Sequence, residues 1–452
     1  MQDVNQYIDA HAQDSFAELF DLVRMPSVSA RGEAIQETAE HLAETLQHLG
    51  FETRIMPKRG GGQPVLYAEQ PGDTDRTLLI YNHYDVQPPE PLDEWQTEPF
   101  EPTHRDGKVY GRGISDDKGN LVARIAALRA IKETRGSLPA RIKFLIEGDE
   151  EIGSPLFEEF VEENRELLKA DACLWEGSGV DPHGRPLLPL GVKGLLYVEL
   201  SCKTVARDVH SSYAAVVPNP AWRLTWALST LKDQDERVLI DGFYDDVRDA
   251  TSLEQEAIEK MPAEEREFAK SIEVERFVLG VEGVDFRKRL YLQPTCNIDG
   301  LTSGYQGPGS KTISPARASA KLDFRLVPDQ DPHDIAERLR RHLDKHGFED
   351  VEMEIFGGEH PARTAIDERW VGIVRDTLRS VYEKEPVVVP TMAGTGPMYP
   401  VVKLLGVPTA DTGVGNIDSR IHAPNENIRE EDFVMGIKAA AAVIDAFGKW
   451  KP

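Results

Sequence analysis

With 452 residues, 40% hydrophobic and 29% charged, the chain has the composition of a folded globular protein and exceeds what one core usually supports, so two domains are expected. Against 52 Lys and Arg stand 78 Asp and Glu, a formal net charge of −26 that disfavours nucleic acid and anionic membranes, both of which bind clustered cations. Three widely spaced cysteines, Cys173, Cys202 and Cys296, build neither a disulfide framework nor a thiolate zinc motif, and no apolar run approaches the ~20 residues of a membrane span. The acidic, amphipathic start lacks the basic and apolar regions of a signal peptide, which makes the cytoplasm the expected compartment.

Apolar positions at helical spacing predict helices over 4–23 and 34–49, the second closed by Gly50. Strands are predicted over 52–56, 64–70 and 77–82, the last an apolar run, Leu78-Leu79-Ile80-Tyr81, that ends on Asn82-His83-Tyr84-Asp85. A helix from Lys118 turns Leu121, Val122, Ile125, Leu128 and Ile131 to one buried face. A strand starting at Ala140 exits into Glu147-Gly148-Asp149-Glu150-Glu151, a helix follows Pro155, and a third strand, 172–175, exits into Glu176. Strands alternating with helices imply an α/β domain with a largely parallel sheet.

After Gly191-Val192-Lys193-Gly194 the texture changes to strands over 197–203, 289–297 and 318–326 with helices near 219–232 and 332–346, the pattern of a smaller α+β domain inserted into the first. The acid-rich 241–287 stretch reads as a helical excursion on the surface. From about Thr364 a helix carrying Trp370, Ile373, Val374, Leu378 and Val381, two short strand-like runs and an Ala-rich helix over 433–447 return the chain to its first domain. The expected organisation is one domain over 1–194 and 364–452 and an inserted one over 195–363.

In open α/β sheets ligands bind just outside the carboxyl ends of strands. There this chain collects His83, Asp85, Asp116, Glu150, Glu151 and Glu176, joined by His422 from its last part. Singly, each is an ordinary structural or solvated residue. Together, neighbouring carboxylates on one sheet edge are costly to bury unless cations neutralise them. Imidazole and carboxylate without thiolate suit zinc or a related divalent ion, and more carboxylates than one ion needs suggest two ions sharing an Asp. A water between two such ions becomes a hydroxide nucleophile, and a nearby Glu that is not a ligand can move its proton. Asp85, two residues beyond His83 in an extended chain, projects to the same side, where a carboxylate would fix a ligating imidazole.

The blocks HYDV (83–86), GRGISDDKG (111–119), EGDEEIGS (147–154), WEG (175–177), RDVHSS (207–212) and IHAPNE (421–426) occur in an order that resembles the dinuclear zinc metallopeptidases. That family includes cytosolic non-specific dipeptidase, carnosinase, succinyl-diaminopimelate desuccinylase and glutamate carboxypeptidase. The likeness spans most of the chain and is weakest over 241–287. It implies a zinc-exopeptidase-like catalytic domain, an inserted ferredoxin-like lid through which two subunits form a homodimer, and two divalent ions per subunit, zinc foremost, with manganese and cobalt as alternatives. It implies that Asp116 bridges both ions, that His83 and Glu176 complete one site and Glu151 and His422 the other, and that Glu150 is the general base. It also implies a cis peptide between Asp116 and Asp117. From the lid it implies that Arg325 and His210 act on the substrate, His210 in the neighbouring chain's site, and that Thr395, Gly396 and Glu426 line the substrate pocket.

One position departs from the dipeptidase pattern: Glu176 stands where dipeptidases and carnosinases most often have Asp, and where desuccinylases, acylases and glutamate carboxypeptidase have Glu. The spacer over 93–113 and the long lid resemble the dipeptidase branch. The implied activity is two-metal hydrolysis of dipeptides or short peptides, with N-acyl amino acid deacylation as the alternative of the same class. A non-catalytic binding relative would usually lack a ligand or the base, and neither is missing. Glu150 and Glu151 do not suit a glycosidase acid/base pair, since neighbours in an extended chain point to opposite faces.

Overall fold

The computed structural model describes residues 1–450; Lys451 and Pro452, the end of the expected 364–452 segment, lie outside the described residues. Two compact units emerge. The first comprises Met1–Gly191, Arg363–Pro390 and the chain from Pro397, and the second Val192–Ala362 with Thr391–Gly396.

The first unit is built on a six-stranded sheet of β1 (Glu52–Met56), β2 (Val65–Gln70), β3 (Thr77–His83), β4 (Arg141–Glu147), β5 (Ala172–Trp175) and β6 (Thr409–Asp411), in the order β1-β2-β4-β3-β5-β6. β4, β3, β5 and β6 run parallel, while β1 and β2 form an antiparallel edge against β4. Parallel strands are covered on both faces, which is why β3 is a continuous apolar run and all seven of its residues are buried. Because β4, β3 and β5 are parallel neighbours, with His83 paired to Glu147 and Ile80 to Leu174, their carboxyl ends meet on one edge. The turn carrying Glu150 and Glu151 and the residue Glu176 therefore leave the sheet beside His83.

The helices Lys118–Arg135 and Glu430–Lys449 pack together, and Gly436 lets the second approach the loop after β6, where a Cβ would come within 2.6 Å of Val414 Cγ1. Gly136 ends the first of them in the left-handed conformation, φ +82°, where its N–H donates to the carbonyl of Lys132 at 2.7 Å. The N-terminal helix expected over 4–23 is two helices, Gln2–Ala10 and Ala12–Val23, because His11 leaves the helical well at φ −115°, ψ +20° and stacks its ring on Tyr7.

In the second unit the strands Gly194–Lys203, Asn297–Ser303, Arg317–Leu326 and Glu352–Glu359 form an antiparallel sheet in the spatial order second, third, first, fourth. With helices Pro220–Leu228 and Pro332–Lys345 this is the βαββαβ arrangement of a ferredoxin-like fold. Leu196, Val198, Leu200 and Cys202 alternate inward against Leu224, Ala227, Leu339 and Leu343. The strand expected over 289–297 is corrected: Arg289–Leu292 complete a helix, Gly283–Leu292, and the strand starts at Asn297. The short apolar run fits a last helical turn as well as a strand, and Pro294 has no N–H for a sheet ladder. The acid-rich stretch holds the helices Ser252–Lys260 and Glu265–Ser271, tied to the following helix by Arg287, whose Nε donates to the carbonyl of Ile258 at 3.0 Å. No helix among the described residues is long and apolar enough to cross a membrane.

Candidate active site

His83 closes β3 almost fully buried, and its two ring nitrogens are used in opposite directions. Nδ1 lies 3.1 Å from the backbone carbonyl of Asp85, and Nε2 is 3.0 Å from Asp116 Oδ1. The Asp85 carboxylate stands farther from the ring, at 3.5 Å, and instead accepts the backbone N–H groups of Glu150 and Glu151 at 3.1 and 3.0 Å. The expected orienting role of Asp85 is thus divided: its carbonyl meets the imidazole, and its carboxylate fixes the turn beyond β4.

Asp116 comes from the turn before the helix Lys118–Arg135, and the Asp116–Asp117 peptide is cis. Its second oxygen, Oδ2, lies 3.1 Å from His422 Nε2, which is also 2.9 Å from Glu151 Oε2. His422 reaches this position from a loop that turns through left-handed Arg420, His422 and Asn425. One donor atom each from His83, Asp116 and Glu151 falls within a 4.8 Å cluster, a grouping that could hold a metal ion. Glu176 follows β5; its carbonyl accepts Asn82 Nδ2 at 3.1 Å, and its Oε2 is buried without a hydrogen-bond partner.

This crowding has an electrostatic signature. Burial drives the carboxyls of Glu150 and Glu176 well above the ordinary range; the His83 charge opposes this, and the neighbouring acids add to it. Burial also raises Glu151, with Asp116 adding to it. Burial would raise Asp116 too, but the imidazoles of His422 and His83 outweigh it and hold that carboxyl low. His422, bonded to Asp116 and Glu151, is pushed up to about 10. A partly buried set with more acids than cations, one carboxylate oxygen without any partner, and nitrogen and oxygen donors throughout is the chemistry that divalent ions satisfy.

Three supporting groups went unnoticed in the sequence. Arg124, buried, donates to the carbonyls of Tyr81 at 2.9 Å, Thr412 at 3.2 Å and Trp175, and to Asn82 Oδ1 at 2.8 Å, gathering the carboxyl ends of β3, β5 and β6. It sits in the apolar stripe of Leu121, Ile125 and Leu128, and a charge on a buried stripe is the signal that could have revealed it. Lys58, in the loop before β2, donates to Glu147 Oε1 at 2.5 Å and to Asp149 beneath the Glu150 turn. Gln87 donates to the carbonyl and carboxylate of Glu151 at 2.8 and 3.0 Å.

Glu426 is corrected. Rather than lining a pocket it is fully buried, and both of its oxygens are taken: Oε1 accepts the amides of Ser115 and Asp116, and Oε2 accepts Gly113 N–H and Arg112 Nη1. In the second unit, Arg325 donates from Nη1 to Thr395 Oγ1 at 2.6 Å and has Asp323 Oδ2 3.5 Å from Nε; Gly396 follows Thr395 in the same segment. His210 is exposed in that unit, and its Nδ1 accepts the N–H of Ser212 at 3.1 Å, so the neutral ring carries its proton on Nε2.

A profile of the family described as Peptidase family M20/M25/M40 matches residues 79–446. An M20 family metallo-carboxypeptidase from Sulfolobus solfataricus superposes with a TM-score of 0.92 at 43% identity, covering 96% of this chain and 99% of that one. Beta-Ala-His dipeptidase from Homo sapiens is 29% identical, covering 98% of this chain and 92% of that protein. Cys-Gly metallodipeptidase from Schizosaccharomyces pombe is 26% identical, covering 99% and 98%. Because the matched span takes in both the strand that ends at His83 and the loop that carries His422, the chain belongs to peptidase family M20/M25/M40 and is a metal-dependent hydrolase of peptide bonds.

Proposed function

We propose that the protein is a two-metal exopeptidase that hydrolyses dipeptides, or the last bond of short peptides, as a cytoplasmic homodimer. The observation that carries this reading is the Asp116 carboxylate, which presents Oδ1 to His83 and Oδ2 to His422. His83 and Glu176 would hold one divalent ion, and Glu151 and His422 the other, with Asp116 shared; the nitrogen and oxygen donors favour zinc. Bound there, such ions polarise the scissile carbonyl and acidify the attacking water.

The chain's own groups do the rest. Glu150, whose carboxyl burial raises well above the ordinary range, takes the water's proton and returns it to the departing amine, and Asp85 holds its backbone still through the amide hydrogen bond. Arg325, with Nη1 anchored on Thr395 and Nε beside Asp323, offers Nη2 to the carboxylate of a free C-terminus. His210, its proton on Nε2, is a donor for the oxyanion that develops as the carbonyl is attacked, and acts in the partner subunit's site. The dipeptidase and carboxypeptidase names of the relatives share one substrate feature, a free carboxylate one residue beyond the scissile bond. Free, buried Cys173, Cys202 and Cys296 accord with a reducing compartment.

The test is release of free amino acids from a panel of dipeptides, tripeptides and N-acyl amino acids by protein loaded with zinc, manganese or cobalt. Dipeptides are expected to be cleaved fastest. Turnover confined to N-acyl amino acids would replace this reading with deacylation.

A further inference from the structure

Glu426 joins two segments that lie far apart in sequence. Its carboxylate accepts three amides of one turn, Gly113 at 2.9 Å, Ser115 at 2.9 Å and Asp116 at 3.1 Å, together with Arg112 Nη1 at 2.8 Å. Its own carbonyl accepts the N–H of Gly111 at 3.1 Å. The turn admits this grip because Gly113 adopts φ +82°, where a Cβ would meet Val86 Cγ1 at 2.4 Å. Arg112, itself buried, supplies the counter-charge, braced by the carbonyl of Pro88 and the ring of Trp95. Glu426 is also four residues beyond His422, in the same loop. Three amide donors and a guanidinium on one buried carboxylate form a rigid connection between the turn that presents Asp116 and the loop that presents His422.

We propose that Glu426 is a positioning residue that sets the separation of Asp116 and His422, and through it the affinity of the divalent ion these two would hold together with Glu151. This rests on the metal reading above. Changing a group that orients ligands typically weakens metal affinity about 10- to 100-fold without removing the site. Glu426→Gln keeps the shape but sets an NH2 donor against either the Ser115 and Asp116 amides or Gly113 N–H and Arg112, which in the wild type meet an oxygen, so the turn must give at Asp116 or at Gly113.

The experiment titrates metal-free, full-length wild type and Glu426→Gln with Zn2+ by calorimetry and with Co2+ by visible absorption, with circular dichroism as the check on folding. Wild type is expected to bind two equivalents. In the variant the equivalent held with His422 should bind about 10- to 100-fold more weakly, with the larger change in its Co2+ spectrum, and excess metal should restore turnover. Were Glu426→Gln not to fold, Arg112→Gln, which leaves the three amide bonds in place, should weaken the same equivalent to a smaller degree. Two equivalents at wild-type affinity with an unchanged Co2+ spectrum, in whichever variant folds, would overturn the inference and leave the metal reading intact. Fewer than two equivalents in wild type would overturn the metal reading, and the inference with it.

Discussion

Lys58 is the residue whose loss should show most clearly how the Glu150 turn is supported. Its ammonium group is wholly buried between Glu147 and Asp149, and Glu147 Oε2 is further engaged by the hydroxyls of Tyr81 at 3.0 Å and Ser154 at 3.2 Å. Burial pushes the Glu147 carboxyl up from 4.5 to about 8, Lys58 opposing this and Asp149 adding to it. The folded chain thus keeps this proton up to about pH 8, while the unfolded chain releases it near 4.5. Glu147 therefore contributes stability that is complete below pH 4.5 and is lost as pH rises through 8. Lys58→Met removes the one cation. Above pH 8 Glu147 must then either ionise beside Asp149 with no cation or hold its proton against the solvent, and breaking a buried pair in this way costs about 3–5 kcal/mol. Near pH 5.5 Glu147 is protonated and the loss falls to about 1–3 kcal/mol, the cost of buried polar groups left unsatisfied. At roughly 2–4 °C per kcal/mol, the melting temperature of the metal-free protein should drop on the order of 10 °C at pH 8.5 and about half that at pH 5.5. Thermal melts followed by circular dichroism at the two pH values measure this, and Glu147→Gln added to Lys58→Met should recover part of the loss at pH 8.5. Equal drops at both values, or a larger one at pH 5.5, would refute the reasoning.

Chelation should abolish turnover, and elemental analysis of the active protein should find two divalent ions per chain. Glu150→Gln should keep both ions while losing roughly 10²–10⁴-fold in kcat, whereas Glu151→Gln should lower metal occupancy; the reverse pattern would exchange the two roles. Arg325→Ala should raise KM sharply for free dipeptides and leave dipeptide amides, poor substrates from the start, nearly unaffected; steady-state kinetics on both series decides it. His210→Ala and Glu150→Gln proteins should each be nearly inactive alone. After subunit exchange they should regain a fraction of activity, because one site of the mixed dimer then has both an intact base and an intact imidazole. Proven exchange without rescue would rule out action across the interface.

The acids at strand ends are legible because parallel strands deliver their exits to one edge, which groups Glu150, Glu151 and Glu176 with His83 on sequence alone. What the sequence hid was partnership. Asp85 looked like a carboxylate aimed at the ring of His83, yet its carboxylate serves the Glu150 and Glu151 amides and its carbonyl meets the ring. Glu426 looked available to substrate because nothing in a string of letters shows that four donors converge on it. Lys58 lay beside Gly60-Gly61-Gly62, a composition that suggests only a flexible connection, and its burial follows from long-range packing against β4. The strand expected over 289–297 failed for a local reason, since a few apolar residues before Pro294 carry no period that separates helix from strand.

The discontinuity of the first unit also governs when the protein can become active during its synthesis. β3, β4, β5 and the turn bearing Asp116 emerge early, but β6, the Thr412 carbonyl that Arg124 holds, His422 and Glu426 leave the ribosome only after the whole of Val192–Ala362 has been made. At ~5–20 residues per second that delay is on the order of ten seconds or longer. Throughout it the nascent chain carries a sheet without its last edge strand, an arginine short of one of its carbonyls, and a cluster of acids missing His422. On the reading proposed above, the ion-holding cage thus closes only after the second unit and the loop bearing His422 have both been made, and peptide hydrolysis waits for that loop.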